Sequence, residues 1–152
     1  MSDVVAVSKM LQIDRSAPFD PVALIGGKWS IVEQDKRSIV LSEIDINKIN
    51  LETVSYPDER VVHGQRRFQR LRKVGHIRLD AQVLLALLED QALIPEHWKL
   101  NGRISFDGTR LWDRNRNGYV LVLRRLGGKW CWDFDSLDVD CDAKSPSACL
   151  AE

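Results

Sequence analysis

Between Arg60 and Arg78 every charged side chain is a cation: Arg60, Arg66, Arg67, Arg70, Arg72, Lys73 and Arg78. Arg66, Arg70 and Lys73 fall at i, i+4 and i+7, which places them on one face of a helix with Arg67 beside them. Repeated cations on one face are what phosphate binding needs, each neutralised phosphate on duplex DNA contributing about −0.9 to the salt slope. The same face suits an acidic protein surface, through long-range attraction and charge-assisted hydrogen bonds that carry little base specificity. His76 and Arg78 flank the helix and complete the candidate binding set of Arg66, Arg67, Arg70, Lys73, His76 and Arg78. A histidine beside phosphate-binding arginines is also the general base of a small hydrolase or nuclease. That chemistry needs clustered carboxylates or a second catalytic group, and the chain has no GxSxG, HExxH, Walker loop or GxGxxG motif. No catalytic residue is assigned, and the enzyme reading ranks behind a non-catalytic binding module.

The formal net charge is zero, so the basic stretch has a counterweight. From Asp133 onward Asp135, Asp138, Asp140, Asp142 and Glu152 face a single cation, Lys144. Such an end can guard a strand edge, cover the basic helix within the same molecule, or meet the basic helix of a second copy in a homo-oligomer. The two charged halves are expected to lie apart, with a partner outside the chain. Asp113-Arg-Asn115-Arg-Asn117-Gly118 matches the opening of a calcium loop, but loop position 12 is Arg124 rather than Glu. Asn117-Gly118 reads better as a hairpin turn. Cys131, Cys141 and Cys149 are odd in number and unevenly spaced, with no CxxC pair, so neither a zinc site nor a disulfide framework is expected. No metal and no cofactor is implied.

The elements that must position these residues follow from periodicity and turn signals. Residues 1–18 read as an N-terminal extension in which Val4, Val5 and Val7 form a short strand. Asp20-Pro21 starts a helix of about one turn, with Asp as N-cap. Trp29–Val32 and Ile39–Ile46, joined by the polar Glu33–Arg37, read as a β-hairpin, and Tyr56-Pro57-Asp58 as a turn or loop. The basic helix spans about Gln65–Val74, with Phe68 and Leu71 as a narrow apolar stripe and Gly75 as its stop. A second helix spans about Ala81–Gln91, with Asp80 as N-cap and Leu79 and Leu84 at staple positions. Its leucines occupy more than one face, so it belongs in the core. That burial, and its acidic polar residues, argue against a helix-turn-helix, whose second helix reads bases. Beyond Arg103 the period becomes two: Ile104–Phe106, Thr109–Trp112, Tyr119–Leu126 and Lys129–Phe134 are strands. Asp107-Gly108, Asn115–Gly118 and Gly127-Gly128 connect them as turns. Of the five tryptophans most are core residues, with Trp130 or Trp132 the best candidate for exposure.

A chain of 152 residues with 44% hydrophobic content makes one ordinary domain, placed at residues 19–152, and needs no disulfide or metal. No apolar run approaches the roughly 20 residues of a membrane span, and no secretory signal is visible, so the expected location is cytoplasmic without membrane contact. Three stretches carry a resemblance: Phe19-Asp20-Pro21 leading to Trp29–Ser38; Gly75–Asp80 leading to Leu93–Lys99; and Phe106–Thr109 leading to Pro146–Ala148. In their order the chain resembles a set of small uncharacterised bacterial proteins of the candidate-phylum type, over most of residues 19–151. It departs from them in carrying Arg124 and Arg125 where their last strands are more aromatic, and the resemblance implies no activity, ligand or site residue. The expected architecture is α+β: an N-terminal β-hairpin, two central helices, and a C-terminal antiparallel β-meander packed on the leucine-rich helix. The expected function is a binding or interaction module using the basic helix face, with an acidic protein surface or nucleic acid as partner.

Overall fold

The computed structural model describes residues 9–151 and is mixed α+β with several sheets. The strand expected at Val4, Val5 and Val7 lies outside the described residues. From Met10 on, the segment expected to be an extension is part of the fold: β1 (Met10–Gln12) carries Leu11, and Ile13 follows it, both buried in the main core. Arg15 then reaches the buried Asp80, 2.7 Å from Oδ2, and donates to the Ser38 and Leu41 carbonyls. Helix α1 (Pro21–Ile25) begins as its sequence dictates, with the Asp20 side chain accepting from the backbone of Val22 and Ala23.

The expected N-terminal hairpin does not form. Strand β2 (Ser30–Gln34) pairs antiparallel with residues 109–112, and β3 (Glu43–Asp45) pairs with β1. The polar segment between them does not turn back. Asp35 is buried, accepts from the Arg37 and Arg78 backbone N–H groups, and starts the one-turn helix α2 (Lys36–Ile39). The β-branched Ile39 and Val40 therefore lose to a side-chain cap with a long-range partner, and the strand expected over Ile39–Ile46 shrinks to β3.

Strands β4 (Asn50–Glu52) and β5 (Val61–His63) lead to the basic helix α3 (Gly64–Val74). His63 caps α3 by accepting from Gln65 N, and Gly75, at φ 85°, ends it in the left-handed conformation that glycine adopts without strain. The two-residue strand β6 (Ile77–Arg78) precedes the leucine-rich α4 (Ala81–Glu89). Asp80 caps α4 through Gln82 N, and the staple residues Leu79 and Leu84 are both fully buried. Two 3-10 turns, Gln91–Leu93 and Glu96–Leu100, then carry Trp98 into the core.

Strands β7 (Arg103–Trp112), β8 (Gly118–Leu126) and β9 (Lys129–Ser136) form an antiparallel meander. Asp107-Gly108 is no turn: the two strands expected around it are the single strand β7, irregular between Phe106 and Leu111. A Cβ on Gly108 would lie 2.2 Å from the Arg78 carbonyl oxygen and 2.5 Å from the Leu79 carbonyl carbon. The glycine serves close backbone approach, with Gly108 N donating to Leu79 O. Finally β10 (Asp140–Asp142) pairs with β5, and β11 (Ser147–Leu150) lies between β4 and β7, giving the order β4-β11-β7-β8-β9 with β2 on β7 and β6 on β11.

Strand alternation sorts the two faces of this sheet. Ile104 and Phe106 of β7, Leu121 and Leu123 of β8, and Trp130 of β9 join Val83, Leu84 and Leu87 of α4 in the main core. The intervening residues face the other way: Val120 packs with Phe68 of α3 and with Leu137, while Ser105 and Asp107 meet Arg67. Helices α3 and α4 thus cover opposite faces. Among the described residues no helix is long and apolar enough to cross a membrane.

Candidate functional site

Because α3 lies on the sheet, its cations divide into an inward and an outward set. Arg67, expected beside the open basic face, is buried at 5% exposure. Its Nη1 is 3.3 Å from Asp107 Oδ1, and its Nη2 donates to Ser105 Oγ (2.9 Å) and to the Ser145 carbonyl (3.0 Å). The hydroxyls of Ser105 and Ser147 both donate to Asp107 Oδ2. Asp107 is fully buried, so its charge must be paired or solvated within the protein, and Arg67 with two serines does this. Phe68, one position on, fixes the helix to the sheet and sits under the guanidinium groups of Arg78 and Arg110, whose Cζ atoms lie 5.2 and 5.6 Å from the ring centroid. Beside Arg67 a cavity of about 30 Å³, lined more by apolar than by polar surface, is bounded by Val120, Val122 and Leu137 together with Ser105, Cys141 and Asp135.

Arg70 is also engaged, though nearer the surface. It forms a two-pronged pair with Glu59, at 2.6 and 2.9 Å, and donates to the Val54 carbonyl. Hydrogen bonds from Arg70 hold the Glu59 carboxyl below its ordinary pKa, against a smaller upward push from burial. Glu59 in turn accepts from the Tyr56 backbone N–H, so the loop and the helix share one carboxylate. The Arg70 guanidinium lies 3.8 Å from the centroid of the Tyr56 ring, and Tyr56 as a residue remains 61% exposed. Arg78 turns from the helix to Asp35, at 3.7 Å, and to the Asp107 carbonyl. Burial pushes the Asp35 carboxyl up, but hydrogen bonds from the Arg37 side chain and from the Arg78 and Arg37 backbones outweigh it and hold its pKa below the ordinary value.

Arg66 and Lys73 remain. Both are exposed, and among the described residues neither forms an ion pair. Arg72, also exposed, makes a long contact of 3.7 Å to Glu33, its one ion pair among the described residues. Of the six expected site residues, Arg66, Arg70 and Lys73 line one shallow cleft of about 330 Å³ together with Tyr56 and Gln69, whereas Arg67, Arg78 and His76 do not. The Tyr-Pro-Asp context of Tyr56 signals a turn and does not by itself mark a site residue. An aromatic in a polar loop just ahead of an arginine cluster is the signal that points to it.

His76 is partly buried, with Nδ1 3.4 Å from Glu52 Oε1, close enough for an ion pair when protonated but too poorly aligned for a hydrogen bond. Arg37 donates to its carbonyl and to that of Gly75. No group of three or more His, Cys, Asp or Glu side chains among the described residues is placed to hold a metal ion. Asp113 closes the hairpin loop by accepting from the Asn115 and Asn117 backbones, using the carboxylate that the calcium pattern would assign to a cation.

The acidic segment is mostly paired by residues outside α3. Asp133 meets Arg103 and Arg124, and Asp135 meets Arg103. Asp138 reaches the start of α3 through Gln65 and caps Gly118 N, and β10 places Asp140 opposite His63. Among the described residues the acidic side chains of this segment approach α3 at its N-terminus, where carboxylates suit the helix dipole, and none forms an ion pair with the outward Arg66 or Lys73. On β9, the last strand of its sheet, Asp133 Oδ1 accepts from the outward N–H of Phe134. The Gln91 amide pairs with both N and O of Trp130. Trp130, a candidate for exposure, is 5% exposed, and Trp132 is half-buried.

No match was found for the chain among protein families, curated proteins or solved structures.

Proposed function

We propose that the protein is a non-catalytic binding module whose outward α3 face takes a polyanionic macromolecule, an acidic protein surface or a nucleic acid. The observation that carries this reading is the division of the α3 cations. Arg67 and Arg70 are consumed by Asp107 and Glu59, whereas Arg66 and Lys73 are solvent-exposed and unpaired among the described residues. Holding Arg70 beneath them with an acid from the preceding loop keeps the cleft open and cationic without cancelling its outermost charges. Two exposed cations contribute mainly to encounter rate and orientation, so binding weakens steeply with salt.

The hydrolase or nuclease reading built on His76 has less support, since His76 adjoins Glu52 rather than the α3 cleft. Self-association through strand pairing is opposed by Gln91 and Asp133, which occupy backbone groups on the β9 edge.

The test is fluorescence anisotropy of labelled poly-glutamate, single-stranded DNA and duplex DNA titrated with the full chain at 50 and 200 mM salt. Arg66→Glu combined with Lys73→Glu is expected to lose about tenfold or more in affinity for whichever polyanion binds, with thermal stability unchanged within about 0.5 kcal/mol because both are surface sites. Absence of binding to all three at 50 mM salt, or equal binding by the charge-reversed protein, overturns the reading.

A further inference from the structure

Tyr56 is an exposed aromatic whose orientation is fixed from beneath. Its ring rests on the Arg70 guanidinium at 3.8 Å, Arg70 is clamped by both oxygens of Glu59, and Glu59 returns to the Tyr56 backbone N–H at 3.1 Å. The Glu59 N–H also donates to the Tyr56 carbonyl, closing the turn through Asp58 at φ 64°. One face of the ring is therefore occupied by a guanidinium. With 61% of the residue still accessible, the other face is open to solvent. A free surface tyrosine swings about two side-chain torsions; this one has lost much of that freedom before any ligand arrives.

The ring separates two adjoining clefts. One, of about 330 Å³, is lined by Arg66, Gln69, Arg70 and Lys73. The other, of about 320 Å³, adds Val54 and the half-exposed Val74. A flat apolar surface thus stands beside unpaired cations, with Arg66 and Lys73 two helical turns, about 10.5 Å, apart along the axis. An acidic protein surface would use the cations and leave the open ring face without a role. A nucleotide uses both, its base stacked on the ring and its phosphates at the cations. Duplex DNA has its bases stacked on each other and offers none to Tyr56.

On the proposed use of the α3 face we infer that the ligand is single-stranded nucleic acid, with one base stacked on the open face of Tyr56 and adjacent phosphates at Arg66 and Lys73. Two phosphate contacts on a single strand give a salt slope of about −1.4, which is roughly sevenfold between 50 and 200 mM.

The experiment measures binding of a labelled 12-nucleotide dT strand, the corresponding duplex and poly-glutamate to the full chain. Expected results are preference for the single strand over both, loss of roughly 5- to 150-fold in Tyr56→Ala, and retention of affinity in Tyr56→Phe, which keeps the ring. Circular dichroism melting of both variants shows whether each is folded, and a Tyr56→Ala protein that fails to fold is replaced by Tyr56→Leu, which fills the space without an aromatic face. Equal binding by the folded ring-less variant overturns this inference, as does a duplex or poly-glutamate bound as tightly as the single strand. In those outcomes the broader polyanion reading survives if Arg66→Glu with Lys73→Glu still abolishes binding. If no polyanion binds, both fall together.

Discussion

The two faces of the central sheet are covered by helices of similar length that hold on by different means. On one face α4 contributes Val83, Leu84 and Leu87 to a cluster that includes Phe106, Leu121, Leu123 and the wholly buried Trp98. Its attachment is removal of apolar area from water, which is non-directional and tolerant of repacking. On the other face α3 contributes only Phe68 and Leu71 as buried apolar side chains, and its place is set by Arg67 bonded to Asp107, Ser105 and the Ser145 carbonyl. Those bonds have fixed directions and link residues about 40 and 78 positions apart along the chain. The contrast explains how a helix so rich in cations can be part of the body of the protein: Arg67 anchors it from inside, Arg70 is held at its rim, and Arg66, Arg72 and Lys73 face solvent.

Removing Arg67 separates these modes of attachment most sharply. Arg67→Ala leaves Asp107 buried without its cation and is expected to cost roughly 3–5 kcal/mol, measured as a fall in the urea midpoint at constant m-value. Adding Asp107→Leu to Arg67→Met is expected to recover part of that loss, because the uncompensated charge goes while the Ser105 and Ser147 hydroxyls lose an acceptor. On the α4 side Leu84→Ala removes a fully buried side chain and is expected to cost about 2–5 kcal/mol, with no second substitution of a polar partner able to restore it. A double variant that recovers nothing, or a Leu84→Ala protein as stable as the parent, would erase the distinction between the faces.

Acid is a gentler probe. The Asp35 carboxyl has a folded pKa below its unfolded one, so its contribution is fully present above the unfolded pKa of about 3.9 and is lost as the pH falls through the folded value. Stability in urea is therefore expected to drop between about pH 5 and the folded pKa of Asp35, and Asp35→Asn to flatten that part of the profile. A profile of unchanged slope in the variant would place the acid sensitivity elsewhere.

The legible parts of the fold were those governed by local rules. The cap and staple of α4, the Gly75 stop of α3 and the turn at Gly127-Gly128 follow from residue types at fixed spacing, and the structure has each where the pattern places it. The hairpin expected at Asn117-Gly118 also forms, but its turn lies at Arg114-Asn115, with Arg116 at φ 62° and Gly118 already paired with Trp112 in β8. The failures cluster at Asp35 and Asp107, two buried carboxylates whose partners are distant in sequence. Asp35 answers to Arg78 and converts an expected hairpin into a one-turn helix; Asp107 answers to Arg67 and sits within a strand where Asp-Gly signals a turn. No local pattern contains that information, because the cost of burying a charge appears only when the chain closes around it.

The same division runs through the candidate site. The amino-acid sequence by itself determined that a helix near residues 65–74 would carry Arg66, Arg67, Arg70 and Lys73, since the i, i+4, i+7 spacing makes a face wherever the helix lies. Only the tertiary structure decided which of these cations are available. Packing of Phe68 and Leu71 turned Arg67 inward to Asp107, Glu59 drew Arg70 under Tyr56, and Arg66 and Lys73 remained at the surface. Charge is a property of the residue, but availability depends on what the fold sets opposite it, and here those opposing groups come from the loop before the helix, from β7 and from the connection between β10 and β11, up to about 80 residues after it.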